Sequence, residues 1–283
     1  MASTGVVLVT GAASGIGRAT VAALAATGFS VVGGVHHPRD TAAGMPTGVR
    51  LTELDVTNPA HISRVVRELA SYPEPIVGLV NNAGLTIAGP VEALPLAEWR
   101  HQLEVNLVAP IALVQALLPE LRKVGGRIVM IGSLSAHVPL PFYGSYAASK
   151  AALAAATAAL RMELAASDVH VSLVEPGMAR TRIWRRAMAG ARDVLGDSPS
   201  GERYSGLLTD VERNNRLLER LSVPPESVGR VVVRALTDRR PRARYRAAYP
   251  PAAWALRTVS VLPAPIRESI VRATLPALRR RGS

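Results

Sequence analysis

Short apolar segments alternate with segments of helical character along most of the chain, and this alternation predicts the fold. Val6–Thr10 is continuously apolar and rich in β-branched residues, which is typical of a strand buried on both faces of a sheet. Similar segments predict five further strands: Ser30–Val35, Val49–Leu54, Ile76–Val80, Arg127–Ile131 and Val169–Val174. Strands that alternate with helices predict an α/β fold, a doubly wound parallel sheet with helices on both faces.

Turn and cap residues mark where several of the intervening helices begin and end. The first predicted helix, Gly15–Thr27, ends at Gly28. Asn58-Pro59 predicts the start of the second helix, because an N-cap residue precedes a proline at the first helical position. Two longer helices are predicted at Leu96–Lys123 and at the alanine-rich Tyr143–Ala166.

Two regions depart from the alternation of strands and helices. Residues 178–223 are too long for an ordinary connection and contain an arginine cluster and a polar run, so we expect a lid over a substrate site. Residues 247–283 contain five prolines and are predicted to form short helices after the sheet. The expected organisation is one domain, residues 1–246, followed by a helical C-terminal extension, residues 247–283.

Composition excludes several classes of protein. The 283 residues include no cysteine, which excludes disulfides, a thiol nucleophile and cysteine-ligated metals; no metal site of any kind is predicted. The formal net charge of +12 is uneven, because residues 234–283 hold 12 arginines against two acidic residues. The rest of the chain is nearly neutral, so we expect no nucleic-acid partner.

The N-terminus gives no targeting signal. It lacks a basic segment before its apolar run, and that run is too short for a signal peptide. No stretch approaches 18 uninterrupted apolar residues, so no transmembrane helix is expected. The expected location is the cytoplasm.

A glycine-rich turn follows the first predicted strand and opens the first helix. The segment Thr10–Gly17 has the spacing Gly-x-x-x-Gly-x-Gly. Glycines allow the backbone to approach a pyrophosphate closely, and the start of a helix offers unpaired N–H groups to it. We therefore expect dinucleotide binding at Gly11, Ser14, Gly15, Ile16 and Gly17.

The end of the second strand bears on the choice of dinucleotide. An acidic residue there would bind the ribose 2′-hydroxyl of NAD, whereas a basic one would accommodate the 2′-phosphate of NADP. No Asp or Glu occurs from Arg18 to Arg39, and His36 and His37 follow Val35. This favours NADP(H) over NAD(H), with plain surface histidines as the alternative.

Tyr146 and Lys150 are four residues apart on a predicted helix and therefore share one face. A tyrosine has an ordinary pKa of about 10, and a nearby ammonium favours its phenolate. Lys150 is one of only two lysines in the chain. The pair is thus a candidate acid/base site.

Taken together, these motifs resemble those of the short-chain dehydrogenase/reductase family, and their order and spacing match over about residues 5–237. The resemblance implies a Rossmann-like fold. The residues that carry it are Thr10–Gly17, Leu54-Asp55-Val56, Asn81–Gly84, Asn106, Ser133, Tyr146–Lys150 and Pro176-Gly177.

The resemblance implies four catalytic roles. Tyr146 would be the acid/base, and Ser133 would hydrogen-bond the substrate oxygen, with Ser135 as the less favoured alternative. Lys150 would lower the pKa of the tyrosine and hold the nicotinamide ribose. Asn106 would support a water relay to the lysine.

The resemblance also implies further cofactor contacts. Asp55 and Val56 would contact adenine. The cofactor groove would be lined by Asn82, Ala83 and Gly84. The nicotinamide and its phosphates would be bordered by Pro176, Gly177, Ala179 and Thr181.

The substrate site is expected between the serine and the tyrosine. His137 and Tyr143 lie in that interval, and Trp184 is expected to close over them from the lid. The neighbouring Leu140, Phe142 and Met188 are apolar, which favours a hydrophobic ketone or alcohol.

The basic tail resembles that of the retinol, hydroxysteroid and 3-hydroxybutyrate dehydrogenase branch, so a homodimer is expected rather than a tetramer. Three interpretations stay open: the tail covers the substrate mouth, touches an anionic membrane surface weakly, or is a solvated face. An alternative function is a catalytically idle nucleotide-sensing protein that binds partners through this tail.

Overall fold

The computed structural model describes residues 5–38, 44–196, 199–249, 258–259 and 261–278. Within them, seven strands form one parallel sheet in the order β3-β2-β1-β4-β5-β6-β7. This sheet confirms the predicted α/β class. The strands are β1 Val6–Thr10, β2 Ser30–Val35, β3 Val49–Glu53, β4 Ile76–Asn81, β5 Arg127–Ile131, β6 His170–Pro176 and β7 Arg244–Ala247.

Helices surround the sheet and continue beyond it. They are α1 Gly15–Ala25, α2 Pro59–Ala70, α3 Leu96–Leu103, α4 Ala109–Lys123, α5 Gly144–Glu163, α6 Ile183–Leu195, α7 Pro199–Arg220, α8 Pro225–Thr237 and α9 Ala264–Ala273. The continuous helix predicted over Leu96–Lys123 is interrupted by a π-helical turn, Glu104–Val108, which joins α3 to α4. Such turns arise where a helix takes up an extra residue, often at a functional site.

The central strands of the sheet are buried on both faces, which explains why they lack polar alternation. In β1, Leu8 packs with residues of α2, α4 and α5, whereas Val7 and Val9 pack with residues of α1 and α8. Successive side chains of a strand point to opposite faces, so both sets must be apolar. An apolar layer of helix side chains therefore packs against each face of the sheet.

The last strand carries part of the basic segment. Only Arg244–Ala247 of the arginine-rich run joins the sheet, and it pairs with β6. Tyr245 and Ala247 are buried, while Arg244 and Arg246 are exposed. The alternation lets an edge strand carry arginines without burying their charge in the core.

The expected long loop at residues 178–223 is mostly helical, which corrects that part of the prediction. Helix α6 buries Ala187, Met188, Ala191 and Leu195, and α7 contributes Leu207 and Val211 to the same apolar cluster. An amphipathic stripe at helical spacing was therefore present in a segment that looked irregular because of its polar run.

The C-terminal extension contains α9 and a 3₁₀ turn, Pro276–Leu278. No residue of α9 is buried, whereas Leu275 just after it is. Part of the predicted extension, residues 250–257 with Trp254 and Leu256, lies outside the described residues. The division at residue 246 stays a prediction.

One helical run, Leu96–Lys123, is long and apolar enough to cross a membrane by length and composition alone. Core helices of folded domains meet the same criterion. Here Leu113, Leu117 and Leu121 are fully buried in the core cluster, and the polar Gln102 and Asn106 are buried beside them. The run therefore serves as a core helix of this domain.

We predict that two glycines inside helices respond oppositely to alanine. A Cβ at Gly229 in α8 would lie 2.8 Å from the Ala19 carbonyl oxygen of α1, and backbone cannot easily move aside. Gly229→Ala should therefore cost about 1–3 kcal/mol of unfolding free energy. Gly190→Ala in α6 meets nothing within 4 Å and should stabilise by up to about 1 kcal/mol. Urea unfolding of both variants is the measurement; equal effects would contradict the packing argument.

Candidate functional site

The candidate site lies at the carboxyl ends of β1 and β4, where the strand order reverses and the sheet opens a crevice. The turn after β1 contains Gly11 and Gly15, both with positive φ angles, of 65° and 54°. A Cβ at Gly17 would collide with the Gly11 carbonyl oxygen. The glycines of the motif are thus required by the shape of the turn.

Hydrogen bonds attach this turn to the neighbouring strand. The Thr10 hydroxyl accepts the N–H groups of Asn82 at 3.0 Å and Ala83 at 2.8 Å. The Asn82 side-chain amide donates to the Thr10 carbonyl at 2.8 Å. The predicted groove residues Asn82 to Gly84 therefore sit directly against the glycine turn.

The turn also faces a cavity with the chemistry of a phosphate site. Ser14 precedes α1 without capping it by its side chain, so the first N–H groups of that helix stay available to a ligand. The cavity, about 600 Å³, is lined by Ser14, Gly15 and Thr181 and by the guanidinium-bearing side chains of Arg18, Arg180, Arg182 and Arg230. These donors and positive charges fit the pyrophosphate of a dinucleotide. The sequence analysis predicted none of these four arginines as cofactor residues, because they come from three segments far apart in the chain.

The segment after β6 borders the same turn. The Gly177 N–H donates to the Ala247 carbonyl at 2.9 Å, which ties this segment to β7. Ala179 forms a bridge with Val223, and the Thr181 side chain lies close to Gly15. The predicted residues from Pro176 to Thr181 therefore belong to a segment that runs from the carboxyl end of β6 to the glycine turn.

At the far end of the crevice, Asp55 belongs to a tight turn. Its carboxylate accepts the Thr57 hydroxyl at 2.7 Å and the Thr57 N–H at 2.9 Å. These hydrogen bonds, together with the nearby His36, hold the pKa of Asp55 below its usual value. His36 and His37 are exposed, and Val56 is buried in the core. The adenine contacts of these residues stay predictions.

Tyr146 and Ser133 lie close together. Both are almost fully buried. Burial raises the pKa of the Tyr146 phenol, and the nearby Ser133 hydroxyl opposes this shift. Ser135 instead donates its backbone N–H to Ser133 at 3.1 Å, which holds the hydroxyl in place. The geometry thus favours Ser133 over Ser135 as the partner of the tyrosine.

Lys150 lies one helical turn from Tyr146 and is also buried. Its ammonium donates to the Ile131 carbonyl at 2.8 Å and is 6.0 Å from the centre of the Tyr146 ring. Burial lowers the pKa of Lys150 to about 8. The lowering of the Tyr146 pKa that the resemblance implies is therefore not found. Loss of hydration instead raises the pKa of Tyr146 and lowers that of Lys150.

Asn106 stands in the π-helical turn and is fully buried. Its side chain exchanges two hydrogen bonds with the Leu85 backbone, both 2.9 Å, and donates to the Ser149 hydroxyl at 3.0 Å. One turn earlier, Gln102 accepts the Ile87 N–H and donates to Ser145, both at 2.6 Å. The sequence analysis missed the partner serines and Gln102.

A sequence signal for these contacts did exist. Gln102 and Asn106 are four residues apart, and so are Ser145 and Ser149. Two polar pairs with helical spacing can face each other across a helix contact, where each supplies the hydrogen-bond partners of the other. The hydrogen bonds lock α3 and the π turn onto the start of α5, which carries Tyr146 and Lys150.

Trp184 of α6 stands over the site. Its ring packs edge-on against Tyr143 and Tyr146, with ring centres 5.6 and 5.7 Å apart. The Tyr143 hydroxyl donates to the Met188 sulfur at 3.0 Å, and burial raises its pKa to about 12. Two of the three predicted substrate residues are therefore next to the candidate catalytic tyrosine.

The third, His137, is engaged elsewhere. Its Nε2 lies 2.7 Å from the Glu175 carboxylate, which is fully buried, and 3.5 Å from an Arg244 guanidinium nitrogen. This polar cluster joins the segment between Ser133 and Tyr146 to the edge of the sheet. A role for His137 toward substrate stays a prediction.

We predict that Lys150→Met stabilises the fold at neutral pH. The native pKa of about 8 lies below the ordinary 10.5, so the buried charge opposes folding by up to about 3 kcal/mol below pH 8. Between these pKa values the unfolded wild type binds more protons, and its stability rises with pH. The advantage of the methionine variant should therefore shrink from about pH 8 to about pH 10.5 in urea unfolding. An advantage independent of pH would contradict this origin.

Comparison with known proteins agrees with this site. A family model described as short chain dehydrogenase matches residues 5–191. An NADPH-dependent 3-dehydrocapnine reductase from Ornithobacterium rhinotracheale is 33% identical over 252 residues, 84% of this chain and 86% of the relative.

Solved structures agree as well. A short-chain dehydrogenase from Streptomyces avermitilis is 28% identical with a TM-score of 0.75, and the match covers 98% of this chain and 97% of that one. A short chain dehydrogenase from Burkholderia cenocepacia, in complex with NADP, is 26% identical with a TM-score of 0.70, covering 93% and 100%. This chain therefore belongs to the short-chain dehydrogenase/reductase family and is an oxidoreductase.

Proposed function

We propose that this enzyme interconverts a hydrophobic ketone and its alcohol with NADP(H), Tyr146 acting as the acid/base. The observation that carries the proposal is the buried contact between Tyr146 and Ser133, with the Lys150 ammonium on the same helix. The Lys150 ammonium also lies close to the groove residue Gly84, where an added Cβ would be 3.6 Å from it.

The bound nicotinamide would supply or accept the hydride, and the chain supplies binding, orientation and proton transfer. The glycine turn, the start of α1 and the arginines of the cavity would hold the pyrophosphate. The groove residues Asn82 to Gly84 and the segment from Pro176 to Thr181 would line the remainder.

In the reductive direction, the Ser133 hydroxyl would hydrogen-bond the carbonyl oxygen, and Tyr146 would donate a proton to it. Burial keeps the phenol protonated at neutral pH, which suits a proton donor. The Lys150 ammonium, still mostly charged at neutral pH, would stabilise the phenolate left behind. Asn106 would hold the start of α5 and support a water relay to Lys150. Oxidation of the alcohol is the reverse.

The aromatic residues around Tyr146 support a hydrophobic substrate. Tyr143 and Trp184 flank the tyrosine, and Met188 lies behind Tyr143. A sugar or a small acid would find few hydrogen-bond partners on this side of the site. An idle nucleotide-sensing protein is the second candidate, and it predicts cofactor binding without turnover of any carbonyl.

We expect Tyr146→Phe to reduce turnover by about 10³-fold or more, since the proton donor is lost while the ring is kept. NADPH binding, measured by fluorescence titration, should be unchanged. Turnover is followed by NADPH absorbance with a panel of hydrophobic ketones. Tyr249→Phe at an exposed position is the matched control and should behave as wild type. Near-normal turnover of Tyr146→Phe would refute the assignment.

Cofactor preference has its own test. No acidic residue occurs from Arg18 to Arg39, His36 lies near Asp55, and the Ornithobacterium relative is named NADPH-dependent. We expect a higher kcat/KM with NADPH than with NADH. His36→Asp should lower kcat/KM for NADPH about tenfold, because a carboxylate repels the 2′-phosphate, while NADH is unaffected or favoured. Better turnover of the wild type with NADH would contradict the proposal.

A further inference from the structure

The end of the chain attaches to the lid at residues 274–278, which we call the latch. The Asp210 carboxylate of α7 accepts the Ala277 N–H at 2.5 Å. The Asn214 side-chain amide, one turn along α7, donates to the carbonyl and the hydroxyl of Thr274 at 3.0 and 3.2 Å. Asp210 is almost fully buried, so this acceptor is not a loosely hydrated surface carboxylate.

A buried apolar side chain also contributes to this attachment. Leu275 is only 2% exposed and belongs to the same apolar cluster as Tyr143, Met188 and Leu207. By contrast, Ile270 in α9 is 40% exposed. Within the described part of the tail, the latch is therefore where the extension is buried in the lid.

Helix α7 connects the latch with Tyr143, which lies near the proposed acid/base. Asn215, next to Asn214, donates to the Tyr143 hydroxyl at 2.6 Å. That hydroxyl in turn donates to Met188 of α6. Because burial raises the pKa of Tyr143 to about 12, the hydroxyl stays protonated throughout the working range of pH. Tyr143 thus joins both lid helices.

Trp184 completes the path to the reacting group. It packs between Tyr143 and Tyr146, the proposed acid/base. Any shift of α7 that moves Tyr143 must therefore change the packing of the indole over Tyr146. The path from latch to tyrosine consists entirely of buried or part-buried side chains, which transmit displacement because protein interiors are close-packed.

We propose that the latch holds Trp184 over Tyr146 and thereby sets the affinity for the hydrophobic substrate. Asp210 and Leu275 are positioning residues in this scheme, since they act through α7 and Tyr143. The substrate part rests on the proposed function. The placement of Trp184 does not, and it can be measured without turnover.

The test compares Leu275→Ala with Ile270→Ala in the full chain. Trp99→Phe and Trp254→Phe are introduced in all proteins, so that Trp184 alone emits. Leu275→Ala should make Trp184 severalfold more accessible to acrylamide quenching and raise the KM for the ketone about tenfold. NADPH affinity should not change. Ile270→Ala removes an exposed apolar side chain of the same tail and should alter none of these quantities.

The hydrogen bond to the latch has a separate test. Asp210→Ala should reproduce the effects of Leu275→Ala, whereas Asp210→Asn keeps an acceptor for the Ala277 N–H and should restore both quenching and KM toward wild type. A role in general stability would weaken both Asp210 variants without this rescue. In a Tyr143→Phe background, Leu275→Ala should have little further effect on Trp184, because the link through Asn215 is already absent.

Three results would overturn the proposal. They are unchanged quenching in a folded Leu275→Ala protein, increased quenching with unchanged KM, and equal effects of Leu275→Ala and Ile270→Ala. If the wild type turns over no ketone, the proposed function fails, and quenching of Trp184 alone then decides whether the latch holds the lid. Circular dichroism at the assay temperature verifies that each variant is folded.

Discussion

The double hydrogen bond to the Thr10 hydroxyl is the contact on which the rest of the site depends. It joins the end of β1 to the start of the segment after β4, at the place where the strand order reverses. Backbone N–H groups just beyond the carboxyl end of a strand have no partner within the sheet. Here the Thr10 hydroxyl accepts hydrogen bonds from two such groups, the N–H groups of Asn82 and Ala83. The glycine turn is thereby held open toward a ligand.

Burial acts in opposite directions on the two titratable residues of the site. It raises the pKa of Tyr146 and lowers that of Lys150, because in each case the charged form loses hydration. The chain thus keeps a neutral phenol and an ammonium with a low pKa within one helical turn. At neutral pH the buried Lys150 ammonium opposes folding, and the polar contacts of Asn106 and Gln102 hold the start of α5 that carries it.

Local sequence patterns were sufficient for much of the fold. Strand β1 was predicted to the residue, and Asn58 caps α2 through its side chain as its position before Pro59 indicated. These features depend on short-range chemistry: β-branching, capping and the fixed φ of proline. The helices α6 and α7 were not predicted, because the polar run between them obscured an apolar stripe that is present at helical spacing.

The catalytic candidates follow a similar division. The sequence by itself determined the glycine turn and the shared face of Tyr146 and Lys150, since both follow from backbone geometry over a few residues. Only the tertiary structure decided that Ser133 rather than Ser135 lies near the tyrosine, that His137 contacts Glu175, and that Leu275 packs with residues of α6 and α7. These contacts join residues far apart in the chain, and their partners are chosen by packing, which no local pattern encodes.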